Sequence, residues 1–128
     1  MNCVGLDLEY WPLVKDDLEK ALDDTATIDD VYQFIKDKKV QLWALHDGEI
    51  SAVMTTTIIC YARYKAVRIL AVSGIDMDKW LDCLIDTLSK WGKSQGAESL
   101  EFFGREGWKR ILTNKGSGEV RIFMTRRI

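Results

Sequence analysis

Several residue types are scarce in this chain, and each scarcity removes a class of function. There is one histidine, His46, and three cysteines, Cys3, Cys60 and Cys83, widely separated and without a Cys-x-x-Cys pair. That leaves no ligand set for a tetrahedral zinc centre and no Ser-His-Asp arrangement, so no metal is expected. An odd, scattered set of thiols fits a reduced cytosolic protein rather than a disulfide framework. No apolar run approaches the roughly 18 residues of a membrane span. The first residues lack the basic-then-apolar order of a secretion signal. The expectation is no membrane and a cytoplasmic location. Charge of one sign is lacking too: the formal net charge is −2. General nucleic-acid binding is therefore not expected, and Arg121, Arg126 and Arg127 read as a solvated strand end.

What remains is an ordinary globular composition, 47% hydrophobic and 30% charged over 128 residues. The length is that of one domain, 1–128, with enough chain for a real core. Residues 66–104 organise it. KAVRILAVSG is a β-branched apolar run closed by Ser73-Gly74, which predicts a buried strand over 67–72. Met77, Trp80, Leu81, Leu84, Ile85, Leu88 and Trp91 then recur at spacings of three and four, one face of a helix. That helix stops at Gln95-Gly96, and 99–103 supplies a further strand. A β-α-β crossover of this kind makes parallel strands, with its strand-to-helix loop as the ligand-binding position.

Before this unit, 6–22 reads as a first helix, with the only proline, Pro12, in its first turn. A second helix begins at Thr27, with Asp30 three residues on as a variant capping box and Ile28, Val31, Tyr32 and Ile35 inward. The acidic cluster of Asp16, Asp17, Glu19, Asp23 and Asp24 lies mostly on the outer face and reads as a solvated surface. Strands over 40–46 and 49–60 flank Asp47-Gly48, a hairpin turn in which both positions are expected at positive φ. After the organising unit come a short helix over 106–113 and a strand over 119–126. The order is α-α-β-β-β-α-β-α-β. The fold class is α/β (α+β), a mixed twisted sheet with helices on both faces.

This order resembles the GNAT (Gcn5-related N-acetyltransferase) superfamily over nearly the whole chain. Within it, QLWALHDGEISAVMTTTI, DKWLDCLIDTLSKWGKSQG and GREGWKRILTNKG resemble small GNAT-like proteins of tailed bacteriophages. Some of those relatives are acetyltransferases and others are similar to internal virion proteins. The resemblance implies acetyl-CoA bound at an Arg/Gln-x-x-Gly-x-Gly/Ala loop between the organising strand and helix, where backbone N–H groups meet the pyrophosphate. The matching positions are Val72, Ser73, Gly74 and Ile75, followed by Asp76, Met77, Asp78 and Lys79. One glycine stands there instead of two. No arginine or glutamine heads the loop, and two aspartates occupy the phosphate position. Asp76 reads as a helix N-cap whose carboxylate takes the donors a phosphate would use. Two anions about 5 Å apart at an effective dielectric near 20 repel by about 3 kcal/mol, which Lys79 offsets in part. The general-acid tyrosine that the superfamily places four residues before a late glycine falls at Leu112, counting from Gly116, and leucine has no proton to give.

Glu101 and Glu106 are the carboxylates nearest a family-like cleft and are the candidate bases if the chain is an enzyme. Val72, Ser73, Gly74, Ile75 and Lys79 are the candidate cofactor-binding residues. His46, beside an exposed turn, reads as incidental, and Cys83 on the apolar helix face as an inert thiol. Trp11, Trp108 and Arg105, near element ends, are the candidate interface residues. Two readings stand. One is a non-catalytic GNAT-like protein, without cofactor, that binds a second copy or a phage structural protein in the host cytoplasm or the virion. The other is an acetyl-CoA-dependent N-acetyltransferase with an atypical loop. The residues favour the first.

Overall fold

The computed structural model describes residues 1–102 and 126–128. It opens with a strand that the sequence did not announce, β1 (Asn2–Gly5), which pairs antiparallel with β2 (Gln41–Asp47). The first helix is correspondingly shorter than 6–22. A 3-10 turn over Leu8–Tyr10 leads into α1 (Trp11–Lys20), with Pro12 in its first turn. α2 (Ile28–Lys36) carries a complete capping box: Asp30 N–H donates to Thr27 Oγ1 at 3.1 Å, and Thr27 N–H donates to Asp30 Oδ2 at 2.9 Å. Val31 is buried, whereas Tyr32 is exposed rather than inward. Its ring instead meets that of Trp11 at 5.4 Å.

β3 (Glu49–Cys60) and β4 (Lys65–Gly74) continue the meander, and α3 (Met77–Ser94) crosses over to β5 (Ala97–Phe102). The sheet runs β1-β2-β3-β4-β5, antiparallel throughout except for the parallel β4–β5 pair. This is the mixed sheet and right order of elements expected over these residues, with β1 added. The helix over 106–113 and the strand over 119–126 lie outside the described residues. At the β2–β3 turn only Gly48 takes a positive φ, +80°, and Asp47 does not. The β2–β3 register shifts by a bulge at Leu45/His46, just before the turn.

Side chains alternate across the sheet. Trp43, Leu45, Ala52, Met54 and Ile69 pack under α3 with Trp80, Leu81, Leu84 and Leu88. Leu42 and Val53 point the other way, to Val14 and Leu18 of α1. Helices on both faces explain why 42–45 and 52–56 are continuously buried. The buried indole of Trp43 donates from Nε1 to Thr56 Oγ1 at 2.9 Å, and that hydroxyl donates to Gln41 Oε1 at 2.9 Å. α3 packs tightly on the sheet at Gly92, where a Cβ would lie 2.9 Å from Val67 Cγ2.

Candidate functional site

Two places on β4 hold the residues singled out from sequence. The first is its C-terminal end. β4 runs on through Ser73 and Gly74, and α3 begins at Met77, so the connection is only Ile75 and Asp76. At Gly74 β3 leaves no room for a side chain: a Cβ there would stand 2.5 Å from Ala52 Cβ and 2.6 Å from the Ser51 carbonyl oxygen. The Ile75 amide donates to that same carbonyl at 3.2 Å, leaving the Ile75 side chain 72% exposed. Trp80, one turn into α3, donates from Nε1 to the Ile75 carbonyl at 2.7 Å and locks the connection from below.

Asp76 departs from its expected role. It occupies the N-cap position of α3 in the left-handed region, φ 55° and ψ 53°, and its carboxylate makes no capping hydrogen bond. In that conformation the side chain is turned away from the first-turn amides. It pairs instead with Lys79 Nζ at 3.6 Å, an exposed contact. Val72 is half-buried against the α3 core, and Ser73 is half-buried in a groove of about 390 Å³. That groove runs between Asp17 and Lys20 of α1, residues 50–53 of β3, and Ser73, Gly74 and Ile75.

The second place is the parallel β4–β5 ladder, where Arg68 stands opposite Glu101. Glu101 has two partners. Arg68 Nε donates to its Oε1 at 2.8 Å and the Tyr61 hydroxyl to its Oε2 at 2.5 Å. Arg68 Nη2 also lies 3.4 Å from the Tyr61 oxygen, closing a three-membered cluster. The Tyr61 hydrogen bond to the Glu101 carboxylate raises the pKa of the phenol above its ordinary value. Both carboxylate oxygens are thus engaged, and the cluster fastens the β3–β4 turn to the sheet. Tyr61 was not found from sequence. It sits 40 positions from Glu101, and nothing local links a turn tyrosine to a strand so far along the chain. The pairing of β4 with β5 runs to Ile69↔Phe102, and a bulge makes Leu70 an extra residue between Ile69 and Ala71.

The other candidates are dispersed. His46 is half-buried at the end of β2, opposite Asn2. The three cysteines are free thiols. Cys83 is half-buried on α3, its thiol donating to the Met1 carbonyl at 3.5 Å, and Cys3 is half-buried on β1 nearby. Burial, with Cys83 beside it, pushes the Cys3 thiol up to about 11. Among the described residues no group of three His, Cys, Asp or Glu side chains is placed to hold a metal ion. No described helix is long and apolar enough to cross a membrane. Trp11 is half-buried against the α1 core. Glu106, Arg105 and Trp108 lie outside the described residues.

No family model and no curated protein matches the sequence. Solved structures do match in shape. A predicted acetyltransferase with acetyl-CoA from Clostridium acetobutylicum has a TM-score of 0.73 at 10% identity, covering 98% of this chain and 95% of its own. The glucosamine-6-phosphate N-acetyltransferase of Arabidopsis thaliana has a TM-score of 0.70 at 15% identity, covering 98% and 97%. The ribosomal-protein-alanine N-acetyltransferase of Brucella melitensis biovar Abortus has a TM-score of 0.72 at 11% identity, covering 99% and 98%. The sheet of five strands among the described residues, with its parallel crossover through α3, and the likeness in shape to these acetyltransferases make the fold of this chain the GNAT acetyltransferase fold.

Proposed function

We propose that this chain is a GNAT-fold protein that does not transfer acetyl groups and acts by binding another macromolecule. The observation that carries this reading is the length of the β4–α3 connection. A pyrophosphate is held at such a junction by several backbone N–H groups converging from a glycine-rich loop and the first helical turn. Here the connection is Ile75 and Asp76 alone. The Ile75 amide is already committed to the Ser51 carbonyl, and the side chains that follow are Asp76, Asp78 and Lys79. The matching positions after Asp76 are taken up by the first turn of α3, and no second glycine stands among them. These residues do not fit the diphosphate of acetyl-CoA, so no catalytic step is routed through it. The candidate base is also poorly placed to act. The ion pair with Arg68 and the hydrogen bond from Tyr61 both favour the ionised carboxylate, which makes Glu101 a weaker base.

The partner to look for is a second copy or, following the resemblance to tailed-phage proteins, a virion component. Calorimetry with acetyl-CoA at low salt tests the reading. No heat of binding is expected up to millimolar cofactor. A Kd near 10 μM, about 7 kcal/mol, would overturn it.

One observation favours the acetyltransferase reading. The Asp76 carboxylate does not fill the first-turn donors of α3, so that end of the helix keeps its favourable dipole for an anion. Should acetyl transfer be found, Glu101→Gln is expected to lower its rate about 10²- to 10⁴-fold.

A further inference from the structure

The net charge of −2 hides a separation of charge along the strand direction. At one end of the sheet β3 turns into β4, β2 and β5 begin, and α2 and α3 stop. Cys60 pairs with Lys65 across the turn, and Lys65 stands opposite Ala97 at the start of β5. Thr57 Oγ1 donates to the Lys39 carbonyl at 2.8 Å, drawing the α2–β2 connection alongside the same stretch of β3. Lys36, Lys38, Lys39, Arg63, Lys65 and Lys93 therefore border one edge, and all are exposed. None of the six makes an ion pair among the described residues. Against them stand Asp37 and Glu98. Among the described residues Glu101, also on β5, is already paired with Arg68.

Lys36 and Lys93 have an ordinary explanation, because cations in the last turn complement a helix dipole. The remaining four do not. Lys38 is held at φ 62°, a left-handed position that glycine would fill without strain and where lysine costs about 1 kcal/mol. A charge is kept there at the expense of backbone comfort. Within the same edge the rings of Tyr61 and Tyr64 lie 5.0 Å apart. Tyr61 is 42% exposed, and its hydroxyl is fixed by Glu101, so its ring has little rotamer freedom left to lose. At the far end of the sheet the carboxylates of Asp17 and Asp76 are instead balanced by Lys20 and Lys79 at 3.6 Å.

We propose that this edge binds single-stranded nucleic acid, with the lysines and Arg63 on phosphates and the tyrosine pair as a stacking surface. Aromatic rings set among cations are what sequence-tolerant single-strand binding requires; an acidic protein would use the cations alone. The basic edge spans the width of β2 to β5, about 14 Å at the usual strand spacing, which suits a short strand segment rather than a duplex turn.

Fluorescence anisotropy of the full chain with labelled dT20 and rU20 tests this. If about five phosphates are neutralised, affinity should fall about 100-fold between 50 and 200 mM salt. Arg63→Ala with Lys65→Ala should lower the salt slope by about 1.4. Tyr64→Ala should weaken binding about tenfold at unchanged slope. Lys15→Ala, away from the edge, should change nothing, and melting curves confirm that each variant folds. Comparable dT20 and rU20 affinities are expected, since no 2′-hydroxyl reader is invoked. The proposal is overturned by absence of binding at 50 mM salt. It is equally overturned if a folded Lys38→Ala, Lys39→Ala, Arg63→Ala, Lys65→Ala variant binds like the wild type. Equal binding of a polyglutamate of matched charge would assign the edge to an acidic protein instead.

Discussion

Replacing Gly74 by alanine tests the tight contact between β3 and β4. In most settings Gly→Ala stabilises by about 0.4–1 kcal/mol, because the unfolded chain loses freedom. Gly74 is not at a positive φ, so its backbone conformation gives no reason for the usual sign to fail. Space does. The added Cβ would meet Ala52 Cβ at 2.5 Å, the Ser51 carbonyl oxygen at 2.6 Å and Ala52 Cα at 2.8 Å. Two of these three are backbone atoms of the paired strand and cannot rotate away. Overpacking of this kind costs about 1–3 kcal/mol, leaving a net loss of about 1–2 kcal/mol and a melting temperature lower by about 4–10 °C. Gly92→Ala is the matched control. Its Cβ would meet Val67 Cγ2 at 2.9 Å, a methyl end, while the helix gains about 1 kcal/mol of propensity, so stability should hardly move. Differential scanning calorimetry of the two variants gives the answer. A Gly74→Ala protein that melts at or above the wild type would refute the close approach of β3 and β4. Adding Ala52→Gly should rescue only part of the loss, since the Ser51 carbonyl and Ala52 Cα remain.

Two further outcomes follow from burial. Trp80, 3% exposed in the α3 core, should cost about 3–5 kcal/mol when changed to alanine; an unmoved urea midpoint would mean that another face of α3 is buried. For Cys3, the folded thiol titrates at about 11 while the unfolded thiol ionises near 8.5. Between these values the unfolded chain releases a proton that the folded chain keeps, so stability is intact below about pH 8.5 and declines as pH rises towards 11. Urea midpoints at pH 8 and 10.5 should fall further for the wild type than for Cys3→Ala. Equal shifts would show that the thiol is not shielded.

The elements legible in sequence are those whose signal is local. α3 declared itself through seven apolar positions at helical spacing, and four of these, Trp80, Leu81, Leu84 and Leu88, are fully buried. The Thr27–Asp30 box was equally local and formed completely. β1 was missed because four residues, NCVG, carry no period to detect. Its strand character comes from hydrogen bonds to β2, extended by Leu6 N–H to the Leu42 carbonyl at 2.8 Å. Tyr32 was placed inward because a stripe fixes a helix face to within a residue or so, and the flank that Tyr32 occupies opens to Trp11 and solvent.

The shape of the β4–α3 connection was not legible in sequence, for one reason. Serine and glycine are poor strand formers, so a reading by propensity ends β4 at Val72 and leaves a loop long enough to suggest a phosphate cradle. The strand continues because β3 is there to pair with it: Val53 opposes Ser73 and Ala52 opposes Gly74. That pairing needs small residues on both sides, which Ala52 and Gly74 supply. Each residue added to the strand is removed from the loop. The left-handed turn at Asp76 then starts α3 at once. Glu101 follows the same rule, since its partners are set by the Arg68↔Glu101 register and by a turn 40 positions away. The glycine that resembles a remnant of a cofactor loop is thus accounted for by the contact between two strands, and its presence is no argument for a bound phosphate.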